Sequence, residues 1–241
     1  MPEAASKNFV DGREISGARL VSLLNRADEM KAGRPEVAGS SLTGKSIALI
    51  FEKPSTRTRI SFEVGIAELG GHGVILRSDE LQLSRGASIE DTARVMSRFV
   101  YGIVIRSGSD EHVSKLAEHA SVPVVNALTP LYHPCQALAD LLTLKERFGG
   151  LDGLKVAYVG DGNNVAAPDG YQLESDAPAR LTDDPVEAVK GADAIYGDVW
   201  VSMGDEETAD QRRADLAPYI IDANLLAAAK KETVVMHCLP A

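Results

Sequence analysis

Ser55, Thr56, Arg57 and Thr58 stand together where an apolar run gives way to an amphipathic one. The run Ser46-Ile47-Ala48-Leu49-Ile50 has the composition of a buried strand. Ile60 to Leu69 has the periodicity of a helix that Gly70-Gly71 closes. Hydroxyls and a guanidinium therefore crowd the first turn of a helix, just past a strand end. Free backbone N–H groups and the positive end of the helix dipole favour an anion at such a place. The four side chains amount to a phosphate cradle made without a glycine-rich loop. The plainer alternative is an ordinary serine cap with solvated arginines at positions 57 and 59. Arg106 ends a second apolar run, Ile103-Val104-Ile105, and is another candidate anion contact, because open α/β sheets bind ligands at strand carboxyl ends. Its alternative is a surface charge in an ion pair.

The elements that must position these residues alternate. Helical periodicity covers Ile15 to Met30 and stops before Gly33 and Pro35. Strand-like runs follow at 47–51, 74–76, 102–105 and 122–125, with helical stretches at 56–69, 89–99 and 111–118 between them. Ser88 with Asp91 resembles a capping box. A longer helix, 136–147, ends at Gly149-Gly150. Beyond it come strands at 154–159, 192–196 and 233–237, with helices at 185–189 and 223–230. Alternation of this kind predicts an α/β fold of two domains, each a parallel, doubly wound, Rossmann-like sheet flanked by helices. The boundaries expected are 1–148 and 149–241.

The second domain reads as incomplete. After Asn164 the chain meets Pro168 and Gly170 with no helix before them, although a parallel crossover needs a dozen or more residues, usually helical. The sequence also stops at Ala241, directly after a strand. Three strands would scarcely bury a core of their own, so the expectation is that segments of the polypeptide are omitted rather than deleted.

Bulk properties narrow the class. The 44 % hydrophobic content suits cored domains, and no apolar run approaches the roughly 20 residues of a membrane span. The N-terminus lacks the basic-then-apolar layout of a secretory signal. A net charge of −10 disfavours nucleic acid as a partner. Cys135 and Cys238, with no CxxC and no clustered histidines, fit neither a disulfide framework nor a zinc site. Reduced thiols in the cytoplasm are the natural expectation.

Further motifs follow in order: His133-Pro134-Cys135-Gln136, Asp161-Gly162-Asn163-Asn164, Asp198-Val199-Trp200-Val201-Ser202-Met203-Gly204 and His237-Cys238-Leu239-Pro240. With Ser55-Thr56-Arg57-Thr58-Arg59 before them, the chain resembles the aspartate/ornithine transcarbamylases over nearly its whole length. The Ser-Thr-Arg-Thr-Arg and His-Pro-x-Gln elements mark that family broadly. Ser202-Met203-Gly204 and His237-Cys238-Leu239-Pro240 are similar to its ornithine branch.

The resemblance implies transfer of a carbamoyl group from carbamoyl phosphate to the δ-amine of L-ornithine, giving citrulline and phosphate, with no metal or organic cofactor. It implies carbamoyl phosphate contacts at Ser55, Thr56, Arg57, Thr58, Arg106, His133 and Gln136, with His133 and Gln136 polarising the carbamoyl group. Gln82 matches a contact that the family supplies from an adjacent subunit, which implies a homotrimer with shared sites. The surrounding loop departs from the family pattern at Ser84 and Ala87. On the acceptor side the resemblance implies Asn164 and Asp198 at the amino-acid end of ornithine and Ser202 and Met203 in a closing loop. It puts Cys238, with Leu239, beside the δ-amine, and makes Cys238, Arg106 and His133 the catalytic candidates. Another transcarbamylase, using aspartate, putrescine or an acylated ornithine, is the nearest alternative. Gly160-Asp161-Gly162 superficially suggests a nucleotide-binding dehydrogenase, but no third glycine is spaced for pyrophosphate. A non-catalytic remnant is the third alternative.

Overall fold

The computed structural model describes residues 6–34, 39–77, 86–161, 180–201 and 209–238. The described chain forms two compact units, one comprising the residues up to Leu138 and the other those from Ala139 onward.

The first unit contains α1 (Gly17–Ala32), β1 (Ser46–Phe51), α2 (Arg57–Glu68), β2 (His72–Arg77), α3 (Ile89–Met96), β3 (Gly102–Arg106), α4 (Asp110–His119), β4 (Val124–Leu128) and the start of α5 (Pro134–Phe148). Its four strands are parallel in the order β2-β1-β3-β4. Successive residues of β1 serve opposite faces, as strand geometry requires. Ala48 and Ile50 join Ile103, Ile105, Val113 and Leu116 on the face covered by α3 and α4. Ile47, Leu49 and Phe51 join Val104 and Ile66 on the face covered by α2. A strand buried on both faces reads as a continuous apolar run, which is why β1 was visible in the sequence.

Local signals explain most boundaries. Ser88 Oγ accepts from the Asp91 amide at 3.0 Å and starts α3, and Ser109 does the same for α4 through His112 at 3.3 Å. Gly70, at φ 80°, ends α2, with its amide on the Ala67 carbonyl. β4 runs two or three residues later than its expected 122–125. Pro123 precedes it, and the polar Asn126 inside it disguised the strand. Asn126 is fully buried because its Nδ2 donates to the Val10 carbonyl at 2.8 Å and to Thr129 Oγ1 at 3.1 Å.

The second unit contains the rest of α5, then β5 (Val156–Val159), α6 (Pro185–Val189), β6 (Ala194–Gly197), α7 (Ala209–Leu216), a 3₁₀ turn at Ala217–Tyr219, α8 (Ala223–Ala228) and β7 (Val234–His237). Its strands are parallel in the order β5-β6-β7. Ala157, Val159 and Ile195 face Val189 of α6 and Leu225 of α8. Ala194, Tyr196 and Met236 face Leu144 of α5. Helix α7 had no counterpart in the sequence reading, because Ala-Asp-Gln-Arg-Arg-Ala-Asp-Leu buries only Leu216 and has no apolar stripe to detect. The parallel, helix-flanked architecture expected from alternation is present in both units.

Candidate active site

In the first unit the carboxyl ends of β1, β3 and β4 lie side by side, because the three strands are parallel neighbours. Each expected donor of this half among the described residues lies at or after one of those ends. Ser55 to Thr58 follow β1, Arg106 terminates β3, and His133 and Gln136 follow β4. The strand ends are tied together: the Glu52 amide donates to the Arg106 carbonyl at 2.9 Å.

Arg106 Nη1 donates to Ser55 Oγ at 3.0 Å and to Thr58 Oγ1 at 3.2 Å. Each hydroxyl receives one hydrogen and still has its own to give, so the pair can donate to an anion while bracing the arginine. Arg106 Nε is buried without a hydrogen-bond partner among the described residues. Burial and then the neighbouring Arg57 guanidinium pull the Arg106 pKa down, and no carboxylate among the described residues contributes. Two like charges converging on a half-buried place is the arrangement an anion relieves. Thr56 is the N-cap of α2, yet its side chain makes no capping bond. The first amides of α2 are therefore not covered by it, and the cap residue is not a serine. Arg59 turns outward to Glu63, one turn on, at 3.6 Å. It belongs to the solvated surface.

His133 immediately precedes Pro134, the first residue of α5, and its carbonyl accepts from the Gln136 and Ala137 amides at 3.0 and 3.2 Å. Cys135 is not a reactive thiol. Its Sγ donates to the Asn126 carbonyl at 3.4 Å, and burial pushes its pKa up to about 12.

The sequence did not single out Glu52, which organises this edge. Its Oε2 accepts from Ser107 Oγ at 2.5 Å and from the Gly108 amide at 3.2 Å, and its Oε1 meets His112 Nδ1 at 3.1 Å. One carboxylate thereby fixes the turn from β3 into α4, directly behind Arg106. Its place one residue after β1 was the only available signal.

In the second unit Asp198 follows β6 and is 8 % exposed. β7 ends at His237, where the expected strand also ends, and Cys238 is the first residue beyond it. The register pairs Gly197 with His237, so the next step sets Asp198 against Cys238. Cys238 Sγ donates to Asp198 Oδ1 at 2.6 Å, and the same oxygen accepts from the Val199 amide at 2.7 Å. Burial, then the Asp198 carboxylate, push the Cys238 thiol up to about 12. The resting sulfur is therefore a neutral donor, not a thiolate. Arg212 of α7, another residue the sequence reading missed, joins the ends of β5 and β6. It donates from Nε to the Trp200 carbonyl at 2.7 Å and forms an ion pair with Asp161. Gln82, Asn164, Ser202, Met203 and Leu239 lie outside the described residues.

Comparison with known proteins adds a family. The model described as aspartate/ornithine carbamoyltransferase, carbamoyl-P binding domain, matches residues 7–146. That of the Asp/Orn binding domain matches residues 169–241. An ornithine carbamoyltransferase from Acidothermus cellulolyticus is 46 % identical across 98 % of this chain and 85 % of its own. One from Bacillus subtilis is 44 % identical across 98 % and 82 %. The solved structure of ornithine carbamoyltransferase from Pyrococcus furiosus superposes with a TM-score of 0.90 at 41 % identity, covering 98 % of this chain and 86 % of that one. The Acidothermus alignment spans 266 positions against the 241 residues here, so that relative carries residues with no counterpart in this sequence.

The thiol–carboxylate bond has a direct readout. Asp198→Asn removes the charge that, after burial, disfavours the thiolate. A lower thiol pKa means more thiolate at any given pH, so Cys238 should react with iodoacetamide at about pH 8.5 several-fold faster than in wild type. Peptide mass spectrometry follows the two cysteines separately, and the rate at Cys135 should not change.

Proposed function

The chain belongs to the aspartate/ornithine carbamoyltransferase family, and on that premise we propose that it transfers the carbamoyl group of carbamoyl phosphate to the δ-amine of L-ornithine, releasing L-citrulline and phosphate. Residues 1–148 form the carbamoyl phosphate-binding domain and 149–241 the ornithine-binding domain in this reading. The observation that carries it is the convergence of Arg106 and Arg57 on the start of α2, with Ser55 and Thr58 holding the Arg106 guanidinium.

The chemistry asks for four things. The phosphate is bound by the α2 amides, the Ser55, Thr56 and Thr58 hydroxyls, and Arg57, a group that helix starts favour. The carbamoyl carbonyl is polarised by Arg106 and His133, and Gln136 binds the carbamoyl NH₂. The δ-amine attacks the carbonyl carbon, and the bond to the phosphate oxygen breaks with its electron pair leaving on phosphate. Those groups serve because charge developing on the two oxygens meets donors already in place. Finally, the amine must be free of its extra proton. An alkyl ammonium has a pKa near 10.4, so at neutral pH nearly all of it is protonated. Asp198, Asn164, Ser202 and Met203 hold the amino acid, and Cys238 with Leu239 receives the δ-ammonium end. Cys238 and Asp198 share one negative charge, which can bind the cation and take part in its deprotonation.

Removing one preorganised charge-stabilising donor costs roughly 10²–10³ in rate. Arg57→Ala, on the exposed first turn of α2, should lose that much kcat while keeping the wild-type circular dichroism spectrum. Activity like wild type would remove Arg57 from the phosphate site.

The acceptor is tested by substrate choice. A site built to bond polar groups rejects analogues lacking them by up to about 10⁴–10⁵. Steady-state kinetics should show kcat/KM for L-ornithine far above that for putrescine and N-acetylornithine. Equal or better use of putrescine would move the assignment to another branch of the family.

Gln82 supports a homotrimer whose sites are completed by the adjacent subunit, and the free thiols and the ornithine chemistry support a cytoplasmic enzyme of arginine biosynthesis. Mixing Gln82→Ala with Arg57→Ala chains should restore part of the activity by forming one intact composite site. No recovery after verified subunit exchange would argue against sharing.

A further inference from the structure

A chain of buried hydrogen bonds leads from the amino-terminal segment to the residue before His133. That segment lies parallel to β4 at Phe9. The Phe9 amide donates to the Val124 carbonyl and the Asn126 amide to the Phe9 carbonyl, both at 2.8 Å. Asn126 Nδ2 adds a bond to the Val10 carbonyl at 2.8 Å. Held by backbone and side chain, Asn126 gives its second amide hydrogen to Thr129 Oγ1 at 3.1 Å. Thr129, the first residue beyond β4, passes the constraint on. Its hydroxyl accepts from the Tyr132 amide and donates to the Tyr132 carbonyl, both at 3.2 Å. Its own amide donates to the same carbonyl at 2.9 Å. The hydroxyl thus uses its hydrogen and both lone pairs, and Thr129 and Tyr132 are clamped together across Pro130 and Leu131. His133 is the next residue.

The clamp is buried and stands beside Arg106. Asn126 is fully buried and Thr129 is 2 % exposed, so breaking one of these bonds leaves an enclosed polar group unpaired. Asn126 Oδ1 makes no hydrogen bond among the described residues. A half-satisfied buried amide is costly, and what it supplies in return is the pair of donors to Val10 and Thr129. Ile105 pairs with Asn126 whereas Arg106 pairs with Leu128, so β4 carries an extra residue, Ala127, at that point. An extra residue of this kind re-aims the side chains around it and is frequent next to active sites.

We propose that Asn126 and Thr129 are positioning residues for the carbamoyl group: they fix the Thr129–Tyr132 turn and so hold the His133 imidazole where it polarises the carbamoyl carbonyl. This rests on the reading in which His133 has that role. The His133 backbone is then fixed from both sides. Downstream, its carbonyl accepts from the Gln136 and Ala137 amides at 3.0 and 3.2 Å at the start of α5. Upstream, only the Tyr132 clamp stops the chain from turning about His133 and carrying the ring with it. A misplacement of about 1 Å can cost roughly 10²-fold in rate.

The test separates positioning from general loosening. Thr129→Val keeps the shape and removes the hydroxyl, and should lower kcat roughly 10- to 100-fold. Thr129→Ser, which keeps the hydroxyl, should return most of it. Thr129→Ala repeats the hydroxyl removal if the valine variant does not fold. Affinity for inorganic phosphate, read by calorimetry, should keep its wild-type value, because Ser55 to Thr58 follow β1 and not β4. If Thr129 acts through His133, adding Thr129→Val to His133→Ala should cost nothing further in kcat. Penalties that multiply overturn the proposal, as do an unchanged kcat in Thr129→Val and a phosphate affinity that falls with kcat. The His133 ring signal in proton–carbon NMR spectra, identified by its loss in His133→Ala, should move in Thr129→Val and return in Thr129→Ser. A signal that stays in place also overturns the proposal. Wild-type protein that makes no citrulline would remove the carbamoyl-transfer reading instead, and the His133 signal alone would then decide whether the clamp holds the ring.

Discussion

The contact on which the first unit's chemistry depends is the one between Arg106 and the two hydroxyls that open α2. A partly buried guanidinium with no carboxylate partner among the described residues is costly, and two hydroxyl acceptors offset only part of that cost. What remains is a standing demand for an anion. The demand can exist only because β1 and β3 are parallel neighbours in register, Phe51 beside Arg106, so that both carboxyl ends open together. A shift of one residue would turn Arg106 into one of the two apolar layers. Glu52 guards against this from behind by binding the β3–α4 turn through Ser107, Gly108 and His112.

The second unit applies the same topology to the opposite sign of charge. Parallel strands again bring their carboxyl ends to one edge, but the groups delivered are a carboxylate and a thiol. The neutral state of Cys238 follows from that placement. A sulfur held 2.6 Å from a buried carboxylate oxygen keeps its proton, and a cation is what would release it. Arg212, bonded to the Trp200 carbonyl and paired with the Asp161 carboxylate, ties the neighbouring strand ends together.

Much of this was readable from local sequence. The apolar runs of β1, β3 and β6, the hydroxyl cap at Ser88, and the closure of α2 at Gly70-Gly71 each act within a few residues, where pattern and propensity speak directly. The strand-end location of Arg106 and the helix-start location of Ser55 to Thr58 were legible for the same reason. The misreadings have separate causes. β4 was displaced because Asn126 is satisfied by Val10, more than a hundred residues away in sequence, and α7 was missed because a polar eight-residue helix has no periodic apolar face.

The sequence alone determined which residues could be chemistry and on which kind of element each would stand, because those depend on neighbours along the chain. Only the tertiary structure decided which of them meet. That Arg106 is braced by Ser55 and Thr58 instead of by an acid, that Glu52 organises the edge behind it, and that Cys238 gives its proton to Asp198 are outcomes of strand order and register. Contacts across 40 to 60 residues of separation are set by which strands pair and how they align. That choice comes from burying both faces of each sheet at once, a condition on the whole unit that no single segment contains.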